Sequence, residues 1–164
     1  MSKVSRSKDT DRYLGNALAH HQAGRLREAQ SLYKKILRVN PDHADALHLL
    51  GMSHFQSGKN ELAINHINKA IGVNPSNPIY YNNLGEVYRS TQRYGQAVDC
   101  YRKSLSLKPD FAEACNNMGS ASKSQGLYEQ AIGWYRKALS LKPVYPEACY
   151  NLGNALQEQG EQSE

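Results

Sequence analysis

Gly51, Gly85, Gly119 and Gly153 stand 34 residues apart, each inside a stretch with the apolar spacing of an amphipathic helix. The same step links Ala29, Ala63, Ala97 and Ala131, and also Pro41, Pro75, Pro109 and Pro143. Tyr33, Ile67, Tyr101 and Tyr135 form another column, as do Leu50, Leu84, Met118 and Leu152. A fixed period of this length is the signature of stacked repeats, because one such unit cannot bury its apolar faces alone. Units start near Thr10, Ala44, Pro78, Ala112 and Pro146, and the fifth holds only a first half. The array is therefore expected over residues 10–160, between a flexible tail at 1–9 and a polar tail at 161–164.

Each unit reads as two helices. Tyr81, Leu84, Gly85 and Tyr88 have the i, i+3, i+4, i+7 spacing of one buried stripe, and Tyr94, Ala97, Tyr101 and Leu105 form a second. The turn between them holds Gly24, Gly58, Gln92, Gly126 and Gly160 in successive units, the residue type that closes a helix C-terminus. Asp42, Ser76 and Asp110 are placed to cap the next first helix with a side-chain oxygen. Pro78 and Pro146 suit its opening turn, and the proline column ends each second helix. Glycine inside a helix costs about 1 kcal/mol relative to alanine. The expected return is close approach of the two backbones at Gly85 and Ala97, with Tyr81 and Tyr101 filling the space between neighbouring pairs. Two registers stay open for the first helix of repeat 1. One puts Ala17 in the glycine slot and Asn16 in the leucine slot; the other aligns "LGNAL" at 14–18 with "LGNAL" at 152–156.

The period, with its small residues, tyrosines and terminal proline in these columns, resembles the tetratricopeptide repeat. The resemblance implies an all-α, right-handed α-solenoid with first helices lining a concave groove and second helices on the convex side. The expected surface of that groove in repeats 3 to 5 is Asn82, Asn83, Glu86, Arg89, Asn116, Asn117, Ser120, Lys123, Tyr150, Asn151, Asn154 and Gln157. Asparagine is a mediocre helix former, so propensity does not account for its abundance here. Asn83, Asn117 and Asn151 share one column, whereas repeats 2 and 1 have Leu49 and Gly15 there. The column looks like the asparagine ladder in the superhelix of O-linked N-acetylglucosamine transferases, where such amides hold the backbone of an extended peptide. A carboxamide offers both donor and acceptor, which suits peptide groups equally well as it suits hydrogen bonds between repeats. Both readings are open at this point. Other tetratricopeptide domains clamp acidic chaperone tails with Lys and Arg. Here Asp45, Glu86, Glu113 and Glu147 stand against Arg89 and Lys123, so no such clamp is expected.

Composition narrows the function further. Apolar residues make up 40% and charged residues 21%, as in ordinary globular chains, with no apolar run long enough to span a bilayer. The opening "MSKVSRSKD" has no apolar segment after its charges, so no secretory signal is read. Three cysteines without C-x-x-C spacing suggest neither a disulfide framework nor a zinc site, and a reducing cytoplasm is the default. No phosphate loop, H-E-x-x-H or G-x-S-x-G is present, so no cofactor, metal or catalysis is expected. His43, His48 and His54 spread around their helix and read as packing residues; Cys115 and Cys149, in equivalent slots, read as small core residues. Trp134 reads as packing or partly exposed. The net charge of +5 arises largely on second helices, at Lys34, Lys35, Lys69, Arg102, Lys103, Arg136 and Lys137. That placement suits solvated outer faces rather than a nucleic-acid stripe.

The expectation is thus a non-catalytic scaffold that binds an extended peptide or partner segment. Two alternatives accompany it. One is the substrate-recruiting N-terminal part of a larger bacterial glycosyltransferase or methyltransferase, whose opening repeats "ALAHHQAGRLREAQSLYKKILRVNPDHADALHLLG" resembles. The other is a self-assembling module. In the half repeat, Cys149, Leu152 and Leu156 are expected to pack on repeat 4, leaving Ala148 and Ala155 open to weak end-to-end association.

Overall fold

The computed structural model describes the backbone of residues 3–161 and the side chains of residues 10–161. Among the described residues there are nine helices and no strand, arranged as an all-α helical-repeat solenoid. Two compact units divide after Ser76. The first holds α1 (Lys3–Gln22), α2 (Leu26–Val39), α3 (Ala44–Gln56) and α4 (Asn60–Val73). The second holds α5 (Pro78–Ser90), α6 (Tyr94–Leu107), α7 (Ala112–Lys123), α8 (Tyr128–Leu141) and α9 (Pro146–Glu161). The helix of repeat 1 starts at Lys3, seven residues ahead of the expected start near Thr10. The tail expected at 1–9 otherwise lies outside the described side chains, and of the tail expected at 161–164 only Glu161 is described.

Every turn within a pair has one geometry. Gly24, Gly58 and Gly126 have φ of 72°, 74° and 75°, and Gln92 adopts the same left-handed conformation at 60°. The next residue then reaches back five positions: Arg93 N donates to Tyr88 O at 2.9 Å, as Arg25 does to His20, Lys59 to His54 and Leu127 to Ser122. These bonds satisfy carbonyls that the helix end leaves over. Gly160 does not join this set, because α9 runs through it to Glu161. The caps also fall one residue later than expected from Asp42, Ser76 and Asp110. His43 accepts from Ala46 N and Asn77 from Ile79 N, while Phe111 caps α7 with no side-chain bond. Ser76 Oγ instead donates to Asn74 Oδ1.

The glycine column has a different occupant from the one expected. A Cβ on Gly85 would lie 2.6 Å from Tyr101 Cε1, and one on Gly119 would meet Tyr135 at the same distance. Thus the second-helix ring lies on the first-helix glycine of its own pair, not between pairs. At Gly51 the neighbour is Ile67 Cγ1 at 2.7 Å, with the Ala63 carbonyl at 3.1 Å, so the backbone approach expected from this column is real in repeat 2. Tyr33, Ile67 and Tyr101 are completely buried and Tyr135 nearly so, as is the whole alanine column. Tyr81, expected in the stripe, is half-buried; the fully buried ring is its neighbour Tyr80. In repeat 1, Ala17 is buried with Ala29 and Tyr33 while Gly15 faces open space, which selects the 34-residue register.

The half repeat packs by a face rotated from the one expected. Ala148, Leu152 and Ala155 turn toward α8, joining clusters with Ala138, Tyr135 and Ile132. Cys149 and Leu156 are exposed instead. Cys115 is buried against Ala138 of its own pair and Ala148 of the next repeat.

A Cβ on Gly153 would meet nothing within 4 Å, in contrast to Gly51, Gly85 and Gly119. Gly85→Leu should therefore lower stability by about 1–3 kcal/mol through overpacking on Tyr101. Gly153→Leu should leave it unchanged or raise it by up to about 1 kcal/mol, from helix propensity alone. Urea melts of the two variants check this contrast; equal effects would remove the ring-on-glycine contact as its cause.

Candidate functional site

In the second unit α5 packs on α7 and α7 on α9, in addition to the contacts of α5 with α6 and of α7 and α9 with α8. The first helices therefore form the closer, inner row of this unit. Two columns of amides run across them. Asn82 and Asn116 are buried, and Asn83, Asn117 and Asn151 are half-exposed beside them. Asn117 Nδ2 donates to Asn82 Oδ1 at 3.1 Å, and Asn151 Nδ2 donates to Asn116 Oδ1 at 3.1 Å. Asn82 Nδ2 donates to Asn83 Oδ1 at 3.2 Å, and Asn116 Nδ2 to Glu147 Oε1 at 3.1 Å. The half-exposed amides of repeats 4 and 5 thus each satisfy a buried one in the preceding repeat. This is the inter-repeat role left open by the sequence. It takes Asn82 and Asn116 out of the accessible surface on which they were expected. Asn117 and Asn151 keep their Oδ1 atoms and one N–H each for other partners.

Beside the amides lies a charged group. Glu86 is half-buried, and burial raises its carboxyl above the usual range despite the Arg89 cation, with Glu147 adding to the rise. Arg89 Nε and Tyr101 Oη are buried without a partner in good hydrogen-bond geometry, although the Arg89 guanidinium lies close to the Tyr101 hydroxyl. Burial raises the Tyr101 hydroxyl, and the nearby Arg89 guanidinium offsets only part of the rise. One repeat later the equivalent tyrosine does better: Tyr135 Oη donates to Ser120 Oγ at 3.2 Å. Glu86 occupies the column of Ser120, so the replacement leaves Tyr101 without the hydroxyl its counterpart uses. Lys123 donates to Glu158 Oε1 at 2.8 Å, a bond that raises the lysine's pKa and ties up much of its charge. Of the remaining expected residues, Asn154 is half-buried, and Tyr150 is 71% exposed at the edge of the row.

The first unit lacks this arrangement. His48 occupies the column of Asn82 and Asn116 and is buried. A residue that sequence reasoning missed is His21. Its Nδ1 lies 3.1 Å from Tyr33 Oη and its Nε2 2.9 Å from Gln56 Oε1. These partners fit a ring protonated on Nε2, donating to Gln56 and accepting from Tyr33. Burial drives the Tyr33 hydroxyl up to about 12, so it remains a donor. No sequence signal marked His21, since it falls off the apolar stripe. His54 is buried as well, and among the described residues no cluster of His, Cys, Asp and Glu could hold a metal ion. No described helix is long and apolar enough to cross a membrane.

Tetratricopeptide repeat models match residues 14–78 and 78–111, and a TPR repeat model matches residues 119–160. The chain belongs to the tetratricopeptide repeat family. Repeats of this family are in general protein-interaction modules without catalysis of their own. No curated protein matches the sequence. Among solved structures, MamA protein is 25% identical with a TM-score of 0.78, over 94% of this chain and 84% of that one. PilF of Pseudomonas aeruginosa is 24% identical with a TM-score of 0.88, over 96% of this chain and 72% of that one. The first TPR of Spaghetti (RPAP3), bound to the HSP90 peptide SRMEEVD, is 25% identical with a TM-score of 0.69, over 71% and 93%.

His48 gives the first unit a pH dependence. Burial pushes it from 6.5 down to about 4, with Asp45 pulling it up and His21 pushing it further down. The folded state holds this histidine neutral while the unfolded chain protonates it, so its contribution is complete above about pH 6.5 and is lost as pH falls toward 4. Between pH 7 and 4.5 the loss should be about 2–3 kcal/mol. His48→Asn, which installs the amide of the other repeats, should flatten that slope in urea melts at the two pH values. An unchanged slope would assign the pH dependence elsewhere.

Proposed function

We propose that the inner face of the second unit binds an extended peptide or partner segment without catalysing a reaction. The observation that carries this is the row of half-exposed amides on adjoining helices, in which Asn117 and Asn151 each spend one N–H between repeats and keep the rest of the carboxamide at the surface. The remaining capacity of Asn117 and Asn151 suits a backbone, and Glu86 and Arg89 then select among side chains. The neighbour bound to an HSP90 peptide supports peptide recognition by this fold. The inner face here is not a cationic clamp, because Lys123 is paired with Glu158 and Arg89 lies near Glu86. A peptide of mixed charge fits it better than an acidic tail.

A second reading has one observation in its favour. Cys149, Tyr150 and Leu156 of α9 are exposed, a surface on which copies of the chain would associate. Sedimentation that stays monomeric across a hundredfold range of concentration would discard it.

The test of the main reading uses peptides selected on a random array by the wild-type protein. Glu86→Gln and Arg89→Gln should change which sequences bind. Replacing Asn83, Asn117 and Asn151 together by Ala should weaken binding at least tenfold, since each neutral hydrogen bond contributes roughly 0.5–1.5 kcal/mol. The triple variant should also melt earlier, because Asn82 and Asn116 lose their donors. Binding is therefore measured below both melting points, and undiminished binding by the folded variant would overturn the role of the amides.

A further inference from the structure

A groove of about 590 Å³ lies on the other side of the second unit, between α6 and α8 and floored by α7. Its walls include Val98 and Leu105 of α6, Met118 and Ser122 of α7, and Trp134 of α8. Two departures from the repeat pattern open it. The column of Ser122 holds His54 in repeat 2 and Tyr88 in repeat 3, both buried rings. In repeat 2 the His54 ring packs on His66, their centroids 5.2 Å apart. Repeat 4 has Ser122 and Trp134 in those same two columns, so the tryptophan loses its covering ring. At the rim, Gly95 stands where the other repeats have Arg27, Glu61 and Glu129, and a side chain there would meet open space.

The charged residues on the groove walls are Arg102 and Asp99, and Lys137 of α8 stands beside Trp134. Lys137 Nζ lies 5.3 Å from the Trp134 ring centroid. Arg102 and Asp99, both on the groove wall, are bonded at 3.0 Å, and both side chains are at least 70% exposed. A surface pair of this kind is weak and exchangeable for a better acid. An apolar slot with one tryptophan, a lysine beside it and an arginine held only by an exposed pair matches an acidic segment with a single apolar anchor.

We propose that this groove is a second binding site, which takes an acidic peptide segment of a partner with one aromatic side chain inserted over Ser122 against Trp134. Val98, Leu105 and Trp134 belong to second helices, whereas the amide row lies on first helices. Trp134 is the chain's only tryptophan, and its emission reports occupancy directly. The probe is a capped heptapeptide of six glutamates around a central phenylalanine, titrated at physiological salt. The expected result is a saturable shift of Trp134 emission to shorter wavelength. Replacing the phenylalanine by alanine should weaken binding at least tenfold, and replacing the glutamates by lysines should abolish it. Ser122→Tyr, which restores the ring of repeat 3, should also weaken binding at least tenfold, read by anisotropy of the labelled peptide. Its helicity by circular dichroism should match the wild type. If Ser122→Tyr fails to fold, Gly95→Glu, which restores the residue of repeats 2 and 4, must produce the same loss. No saturable response, equal binding of the alanine peptide, or full binding by the folded variant would each overturn the proposal.

Discussion

A phenol ring lying on a glycine is the contact around which each pair of the second unit is organised. Tyr101 and Tyr135 reach full or nearly full burial because Gly85 and Gly119 offer bare backbone at the point of contact. The ring fixes the separation of the two helices. That separation in turn decides where the alanine column meets the first helix and how the left-handed turn closes. The stability cost of a helical glycine is small beside the burial of a whole tyrosine, which removes roughly 150–250 Å² from water. At Gly153, where no second-helix ring lies over it, the glycine does nothing for packing. The column is therefore a property of the pair and not of the helix that carries it.

The same ring links core to surface. Its hydroxyl emerges at the inner row, where Ser120 receives it in repeat 4 and the half-buried Glu86 stands in its place in repeat 3. A residue that secures packing at one end thereby shapes a polar surface at the other. Repeat arrays are coupled through neighbours only, so a substitution at one such ring reaches the adjoining repeat and little further.

Columns 34 residues apart were sufficient to read the helix pairs, the turn at Gln92 and the family, because each follows from a requirement repeated several times. Singular features were not legible. The cap on α3 falls to His43 because its ring nitrogen reaches Ala46 N, a matter of a single turn's geometry. The rotated face of α9 follows from which neighbours are present: Ala148 and Ala155 have α8 to pack on, whereas Cys149 and Leu156 face away from it. At the site, the sequence placed the amides in one row but could not say which would be buried. Asn82 and Asn83 differ by one position and about 100° of helix rotation, enough to put one between repeats and leave the other at the surface. Glu86, Arg89 and Tyr101 were legible as residues, but not as a cluster.

The amide row has a handedness of its own. Asn117 and Asn151 both turn Nδ2 toward the preceding repeat, so their planar groups are locked in the same sense. A surface built this way is a vector: stepping along it toward the C-terminus is chemically different from stepping back. A polypeptide strand is also a vector, since its carbonyls and amides alternate in a fixed order from N- to C-terminus. Laid along the row in its two possible directions, one strand would meet two different sequences of donors and acceptors, so a bound strand would have a preferred direction before any side chain was read.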